Sequence, residues 1–155
     1  MAEEIERKFL VTNQGWRWGD ATAYRQGYLS LDKERTVRVR IAGDVAYLTV
    51  KGITKGGTRR EFEYEIPLVE AKEMLATLCR HPLIEKRRYI VEHRGLAWAI
   101  DEFFGDNAGL VVAEVELESE GQPFERPPWL GQEVTGDPRF YNVNLVEDPY
   151  RNWKP

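Results

Sequence analysis

Apolar and polar side chains alternate with period two along most of the chain, and turn residues break the alternation at intervals. Eight stretches carry this pattern and predict strands over 3–10, 24–30, 35–42, 45–52, 59–66, 85–92, 96–103 and 110–118. Gly43-Asp44, Lys55-Gly56-Gly57 and Arg94-Gly95 lie between consecutive stretches and predict hairpins, and Gly105-Asp106-Asn107 predicts a turn into the last strand. From Val69 to Arg80 the period changes. Ala71, Met74, Leu75 and Leu78 recur at helical spacing, with Pro67 before them and Pro82 after them. Beyond Glu118 the chain is rich in Pro, Gly and Trp, with a short helix predicted near 139–146. The expectation is a mainly β (α+β) fold: an eight-stranded antiparallel closed β-barrel with a few flanking helices, forming one domain over 1–155. Eight strands enclose an interior wide enough for packed side chains or one small ligand.

The polar half of the alternation is unusual. Glu4, Glu6 and Lys8 share one face of the first strand, opposite Ile5 and Phe9. Arg38 and Arg40 oppose Val37, Val39 and Ile41 on the third strand, and Lys51 opposes Leu48 and Val50 on the fourth. Glu61, Glu63 and Glu65 oppose Phe62, Tyr64 and Ile66 on the fifth. Lys86 and Arg88 share a face of the sixth, Asp101 lies on the seventh, and Glu114, Glu116 and Glu118 alternate along the eighth. An ordinary sheet with its apolar face inward and its charges in water would give this alternation. Most of these strands, however, carry charges of largely one sign. Adjacent like charges repel unless something between them compensates. A ligand combining metal cations with a polyanion would do so.

Composition narrows the classes. The net charge of −4 argues against a general nucleic-acid binder. Cys79 is the only cysteine, which excludes an intrachain disulfide and thiolate zinc sites. No apolar run is long enough to cross a bilayer, and Met1-Ala2-Glu3-Glu4 lacks the features of a signal peptide. A cytoplasmic protein is expected, with no membrane or nucleic-acid partner. No Walker-type phosphate loop is present, and His81 and His93 are expected in loops. Trp16, Trp18, Trp98, Trp129 and Trp153 read as packing residues rather than base-stacking platforms.

The opening Glu4-Ile5-Glu6-Arg7-Lys8 reads ExExK and resembles the signature of the CYTH superfamily, the triphosphate tunnel metalloenzymes. The likeness continues in order through Arg25-Gln26-Gly27-Tyr28-Leu29, Val37-Arg38-Val39-Arg40, Leu48-Thr49-Val50-Lys51 and Glu63-Tyr64-Glu65-Ile66. Glu85-Lys86-Arg87-Arg88-Tyr89, Asp101 and Glu114-Val115-Glu116 extend it. The tail, Gly131-Gln132-Glu133-Val134-Thr135 followed by Phe140-Tyr141-Asn142, is similar to that of small bacterial members, except that Val143 stands where relatives often carry a basic residue.

The resemblance implies an eight-stranded tunnel with inward-facing charges and hydrolysis of inorganic triphosphate to pyrophosphate and phosphate. The same fold serves class IV adenylate cyclases and thiamine or nucleoside triphosphatases, and a non-catalytic polyphosphate- or nucleotide-binding module is a third reading. Mg2+ or Mn2+ is the implied cofactor, since oxygen-rich sites suit these ions. Glu4, Glu6, Glu63, Glu65, Asp101, Glu114 and Glu116 are the candidate metal ligands. Asp101 has an alternative role orienting Arg38 or Arg40, and Glu61 reads as structural. Lys8, Arg38, Arg40, Lys51, Lys86 and Arg88 are the candidate phosphate contacts. Lys8 and Tyr28 form a candidate catalytic pair if the first two strands are neighbours. Both would then point into the tunnel, where a lysine surrounded by Arg and metal loses its proton more readily and helps activate water, with Tyr28 positioning it. The alternative is that Lys8 only binds phosphate and Tyr28 only packs. A homodimer is compatible with these features.

Overall fold

Alternation becomes strands wherever β-branched, aromatic and long charged residues succeed one another, because such side chains fit a pleated surface. The structure, a computed structural model describing residues 3–55 and 58–153, contains β1 (Glu3–Val11), β2 (Ala21–Ser30), β3 (Arg35–Ala42), β4 (Val45–Gly52) and β5 (Thr58–Ile66). Then follow α1 (Leu68–Thr77), β6 (Arg80–His93), β7 (Leu96–Phe103), β8 (Val111–Glu116), β9 (Leu130–Glu133) and α2 (Asn142–Leu145). The antiparallel neighbours run β5-β4-β3-β2-β6-β7-β8-β1. Pairing of Glu3–Ile5 with Thr58–Arg60 joins β1 to β5 and closes the ring of eight. The ninth strand lies further along β1, with Phe9 opposite Glu133 and Val11 opposite Leu130.

Several boundaries differ from the sequence pattern. Helix α1 stops at Thr77 rather than Arg80, because Arg80, His81 and Pro82 already belong to β6. The two histidines expected in loops therefore lie near the ends of that strand. Strand β2 begins at Ala21. Strand β8 ends at Glu116, so Glu118 lies outside it. Strand β9 has only four residues, Leu-Gly-Gln-Glu, too few to establish a period. Arg94 and Gly95 both have positive φ, 50° and 83°, as the tight two-residue hairpin turn between β6 and β7 requires. In the hairpin read at Lys55-Gly56-Gly57, Gly56 and Gly57 fall outside the described residues, while Lys55 and Thr58 exchange two backbone hydrogen bonds.

The apolar sides of the strands face outward and most are covered; Phe62 and Tyr64 of β5 stay exposed, at 38% and 59%. Phe9, Trp98, Val115 and Tyr89 pack against Trp16 of the β1–β2 loop and against Phe124 and Trp129 from the long segment after β8. On the other flank Ala71 and Leu75 of α1 cover Val39, Ile41 and Ala46. Trp153 packs beside Phe140, whereas Trp18 is 70% exposed. A third apolar group lies on the inward faces: Ile84, Phe103 and Val112 share the faces of Lys86, Asp101 and Glu114, and Tyr28 joins them. The C-terminal residues Val134, Phe140, Val143 and Leu145 pack against them. Among the described residues, no helix is long and apolar enough to cross a membrane.

Gly27 marks where α1 meets the sheet. A Cβ there would lie 2.7 Å from Leu83 Cδ2 and 2.8 Å from Cys79 Cβ. Gly27→Ala is therefore expected to destabilise the protein by about 1–3 kcal/mol through overpacking, measured by denaturant unfolding. A neutral result would show that α1 can move away from β2.

Candidate active site

The side chains opposite the outward apolar ones line a cavity of about 290 Å³. From β1 it receives Glu4, Glu6 and Lys8; from β3, Arg38 and Arg40; from β4, Lys51; and from β6, Lys86 and Arg88. Glu63 comes from β5, and Glu114 and Glu116 from β8. Register explains the grouping. Glu6 stands opposite Glu116 and Lys8 opposite Glu114 across β1–β8, while Arg38 faces Tyr28 across β3–β2. Ala97 and Ala99 of β7 also line the space, and their small side chains leave it open.

Two of the predicted site residues share these inward faces but do not line the cavity. Glu65 is exposed and outside the cavity lining. Asp101, only 2% exposed, lies behind the lining. It accepts hydrogen bonds from Lys86 Nζ at 2.8 Å and from Arg88 Nε and Nη2 at 2.7 and 2.9 Å. Its partners are thus the β6 cations rather than Arg38 or Arg40. Strands β1 and β2 are not neighbours, since β1 pairs with β5, β8 and β9, yet Lys8 and Tyr28 both border the cavity. Arg59, Glu61, Tyr141, Asn142 and Val143 also border it. Arg59 and Glu61 follow the register of β5, where Lys51 stands opposite Glu61. The last three come from the C-terminal segment, whose sequence carries no strand period.

The site is electrostatically divided. On one side Arg40 is pulled down to about 10 by burial and by the neighbouring cations Arg38 and Arg88. Arg40 and Arg88 also sit over the Tyr24 ring, at 4.9 and 4.8 Å. Glu63 accepts from Thr49 Oγ1 at 2.8 Å and lies within 3.5 Å of Arg38 and 3.4 Å of Arg40. On the other side Glu6 is pushed up to about 7 by burial and by repulsion from Glu114 and Glu4. Glu116 is raised as well, by burial and by Glu4 and Glu61. Glu4 meets Lys51 at 3.0 Å and Arg59 at 3.5 Å. Crowded acids invite a cation and crowded bases an anion.

Burial works to lower the Lys8 ammonium group, but Glu114, 3.4 Å away, and Glu6 outweigh burial and raise it. With no cation beside these carboxylates, they favour the charged form of Lys8. Phe140 O accepts from its Nζ at 3.3 Å, and the Tyr141 ring lies 5.3 Å away. For Asp101, burial acts upward, but the Arg88 guanidinium and Lys86 ammonium hold the carboxyl well below the usual carboxylate range.

Asp101→Asn would leave two buried cations without their counter-charge and is expected to cost about 3–5 kcal/mol in chemical denaturation; an unchanged midpoint would mean that water replaces the carboxylate. Glu6 gives a pH signature. In the fold it is pushed up to about 7 from its ordinary value of 4.5, so the native state binds this proton more tightly than the unfolded chain. Its contribution to metal-free stability is full below the unfolded value and is lost as pH rises through about 7. Thermal melts from pH 4.5 to 8 should show that decline, and Glu6→Gln should reduce it.

The barrel and its charged cavity recur in known proteins. The CYTH domain family matches residues 2–141. The chain is 51% identical over 155 residues to an inorganic triphosphatase of Acetivibrio thermocellus, covering 99% of both chains. It is 39% identical over 148 residues to an inorganic triphosphatase of Nitrosomonas europaea, covering 92% of this chain and 96% of the relative. A crystal structure of an inorganic triphosphatase superposes with a TM-score of 0.65 at 34% identity, over 97% of this chain and 99% of the other. With matched sequence along nearly its whole length and the same barrel, the chain belongs to the CYTH domain family.

Proposed function

We propose that this protein hydrolyses inorganic triphosphate to pyrophosphate and phosphate inside the barrel, with a divalent cation. The observation that carries this reading is the division of one cavity into crowded carboxylates and crowded guanidinium and ammonium groups. A metal–triphosphate complex presents both charges that such walls lack. The inorganic triphosphatases at 51% and 39% identity support the choice of substrate, as does a cavity of about 290 Å³, near the lower end of small-molecule sites.

Arg38, Arg40, Lys51, Lys86 and Arg88 would donate charge-assisted hydrogen bonds to the phosphate oxygens, with Arg59 as a further cation on the wall. Glu63 would hold Arg38 and Arg40 in place, as Asp101 holds Lys86 and Arg88. Glu4, Glu6, Glu114 and Glu116 would hold the cation. Among the described residues, no cluster of three or more His, Cys, Asp or Glu side chains is already gathered to hold a metal ion. The fit rests instead on the burial and mutual repulsion that raise Glu6 and Glu116 and on hard oxygen donors, which suit Mg2+ or Mn2+. When bound, such an ion supplies charge neutralisation and Lewis acidity. In the reaction, water adds to the terminal phosphorus and the anhydride P–O bond breaks. Pyrophosphate leaves with the electron pair, and the basic wall stabilises the charge that develops on it. Lys8, held charged, would contribute there as a phosphate ligand rather than as a base.

Phosphate release from triphosphate, ATP, thiamine triphosphate, pyrophosphate and longer polyphosphate, each with Mg2+ or Mn2+, tests the reading. Triphosphate should be the best substrate, and excess chelator should abolish turnover. A preference for ATP, or full activity without metal, would overturn it. Arg40→Ala should raise KM with the fold intact, and an unchanged KM would remove Arg40 from the phosphate site. Lys8→Ala should raise KM by about tenfold or more, the value of a lost charged hydrogen bond, and keep the wild-type dependence of kcat on pH. A loss confined to kcat, together with loss of any wild-type rise of kcat with pH, would instead make Lys8 the base.

A further inference from the structure

The C-terminal segment does more than cover the barrel. Residues 140–142 reach across one end of the cavity and touch strands from opposite sides of the ring. Phe140 O accepts from Lys8 Nζ on β1 at 3.3 Å. Asn142 Oδ1 accepts from Lys86 Nζ on β6 at 2.9 Å and from Gln26 Nε2 on β2 at 3.1 Å. Beneath them, Val143 and Leu145 are buried in the apolar group that includes Tyr28 and Phe103.

These contacts fix the orientation of the Asn142 amide. Burial pulls Lys86 down to about 7, but its Nζ lies 2.8 Å from the Asp101 carboxylate, which keeps it charged as a donor; an ammonium group can only donate, so Asn142 presents its oxygen to Lys86. Gln26, facing the same oxygen, must then present its NH2. The consequence is visible at Gln26, which is fully buried and whose Oε1 has no hydrogen-bond partner among the described residues. Buried polar groups are rarely left this way. With its oxygen held twice, Asn142 is left with an NH2 group that donates to no protein group among the described residues, on a side chain that borders the cavity.

We propose that Asn142, latched by Gln26 and Lys86, is the end wall of the cavity: its NH2 donates to the terminal phosphoryl group of the bound chain and limits that chain to three phosphates. Gln26 is a positioning residue in this arrangement, since it acts through Asn142. The inference rests on the triphosphatase reading, because it specifies which polyphosphates the same cavity accepts.

Asn142→Asp separates recognition from structure. A carboxylate still accepts from Lys86 and Gln26, so the latch survives, but the atom facing the ligand becomes a negatively charged acceptor. Binding of tripolyphosphate and tetrapolyphosphate is measured by calorimetry with chelator present, beside initial rates with Mg2+. Asn142→Ala should weaken tripolyphosphate binding by about 10–100-fold, the value of a hydrogen bond to a charged group. Tetrapolyphosphate should be weakened less, so the preference for three phosphates narrows. Asn142→Asp should bind tripolyphosphate more weakly than Asn142→Ala while melting at the wild-type temperature. Gln26→Met should raise KM for triphosphate and leave kcat unchanged. If the wild type hydrolyses triphosphate but Asn142→Asp binds tripolyphosphate normally, or neither Asn142 variant alters the length preference, the end-wall role falls and the triphosphatase reading stands. If the wild type neither binds nor hydrolyses tripolyphosphate, both fall. Should Asn142→Ala fail to fold, Asn142→Asp decides the matter.

Discussion

The constraint on which this structure depends is the enclosure of many ionised groups in one small space. Charged side chains taken out of water lose hydration that only partners can replace. Inside the barrel those partners are other charges. Asp101 stands between Lys86 and Arg88, Glu4 meets Lys51 and Arg59, and Glu63 lies between Arg38 and Arg40. The pairing is incomplete. Glu6 and Glu116 repel their neighbours, and Arg40 is crowded by two other guanidinium groups. Those residual repulsions are what a polyanion with its cation would relieve, so the instability of the site and its affinity have the same origin.

Turning the charges inward forces the rest of the architecture. A barrel whose polar sides face the interior must cover its apolar sides from outside. Helix α1 does so over β3 and β4, and the β1–β2 loop and the segment after β8 do so over β1, β6, β7 and β8. Those coverings are the parts of the chain without strand periodicity. Nearly fully buried, Trp16 and Trp129 supply large apolar area there. The C-terminal segment is placed differently. Its apolar residues pack against Tyr28, Ile84, Phe103 and Val112, while Tyr141 and Asn142 border the charged space. One short stretch therefore serves both packing and recognition.

Legibility followed periodicity. A period of two fixes which side chains share a face whatever the neighbours are, so each strand's charged set could be grouped before any pairing was known. Ring order was not legible in the same way. Strand β1 closes the barrel against β5 and β8 rather than pairing with β2, and nothing local in Glu3–Val11 specifies that choice. Proximity of Lys8 to Glu114 follows from the β1–β8 register, and that carboxylate favours the charged lysine where no cation is bound. Arg59 carried a legible charge but lay at the predicted start of its strand, where the pattern assigns it no partner.

By itself, the sequence determined the strands, their two faces, the charge carried by each and the absence of thiol chemistry, because these depend on backbone period and side-chain type alone. The ordered motifs from Glu4 to Asn142 also determined the family. Tertiary structure alone decided that the charged faces look inward, since the alternation is identical for an ordinary sheet and for an inverted barrel. It likewise decided that Asp101 pairs with the β6 cations beneath the cavity lining, and that Asn142 crosses to Lys86 and Gln26. These outcomes rest on contacts between residues far apart in the chain, and such contacts exist only once the ring has closed.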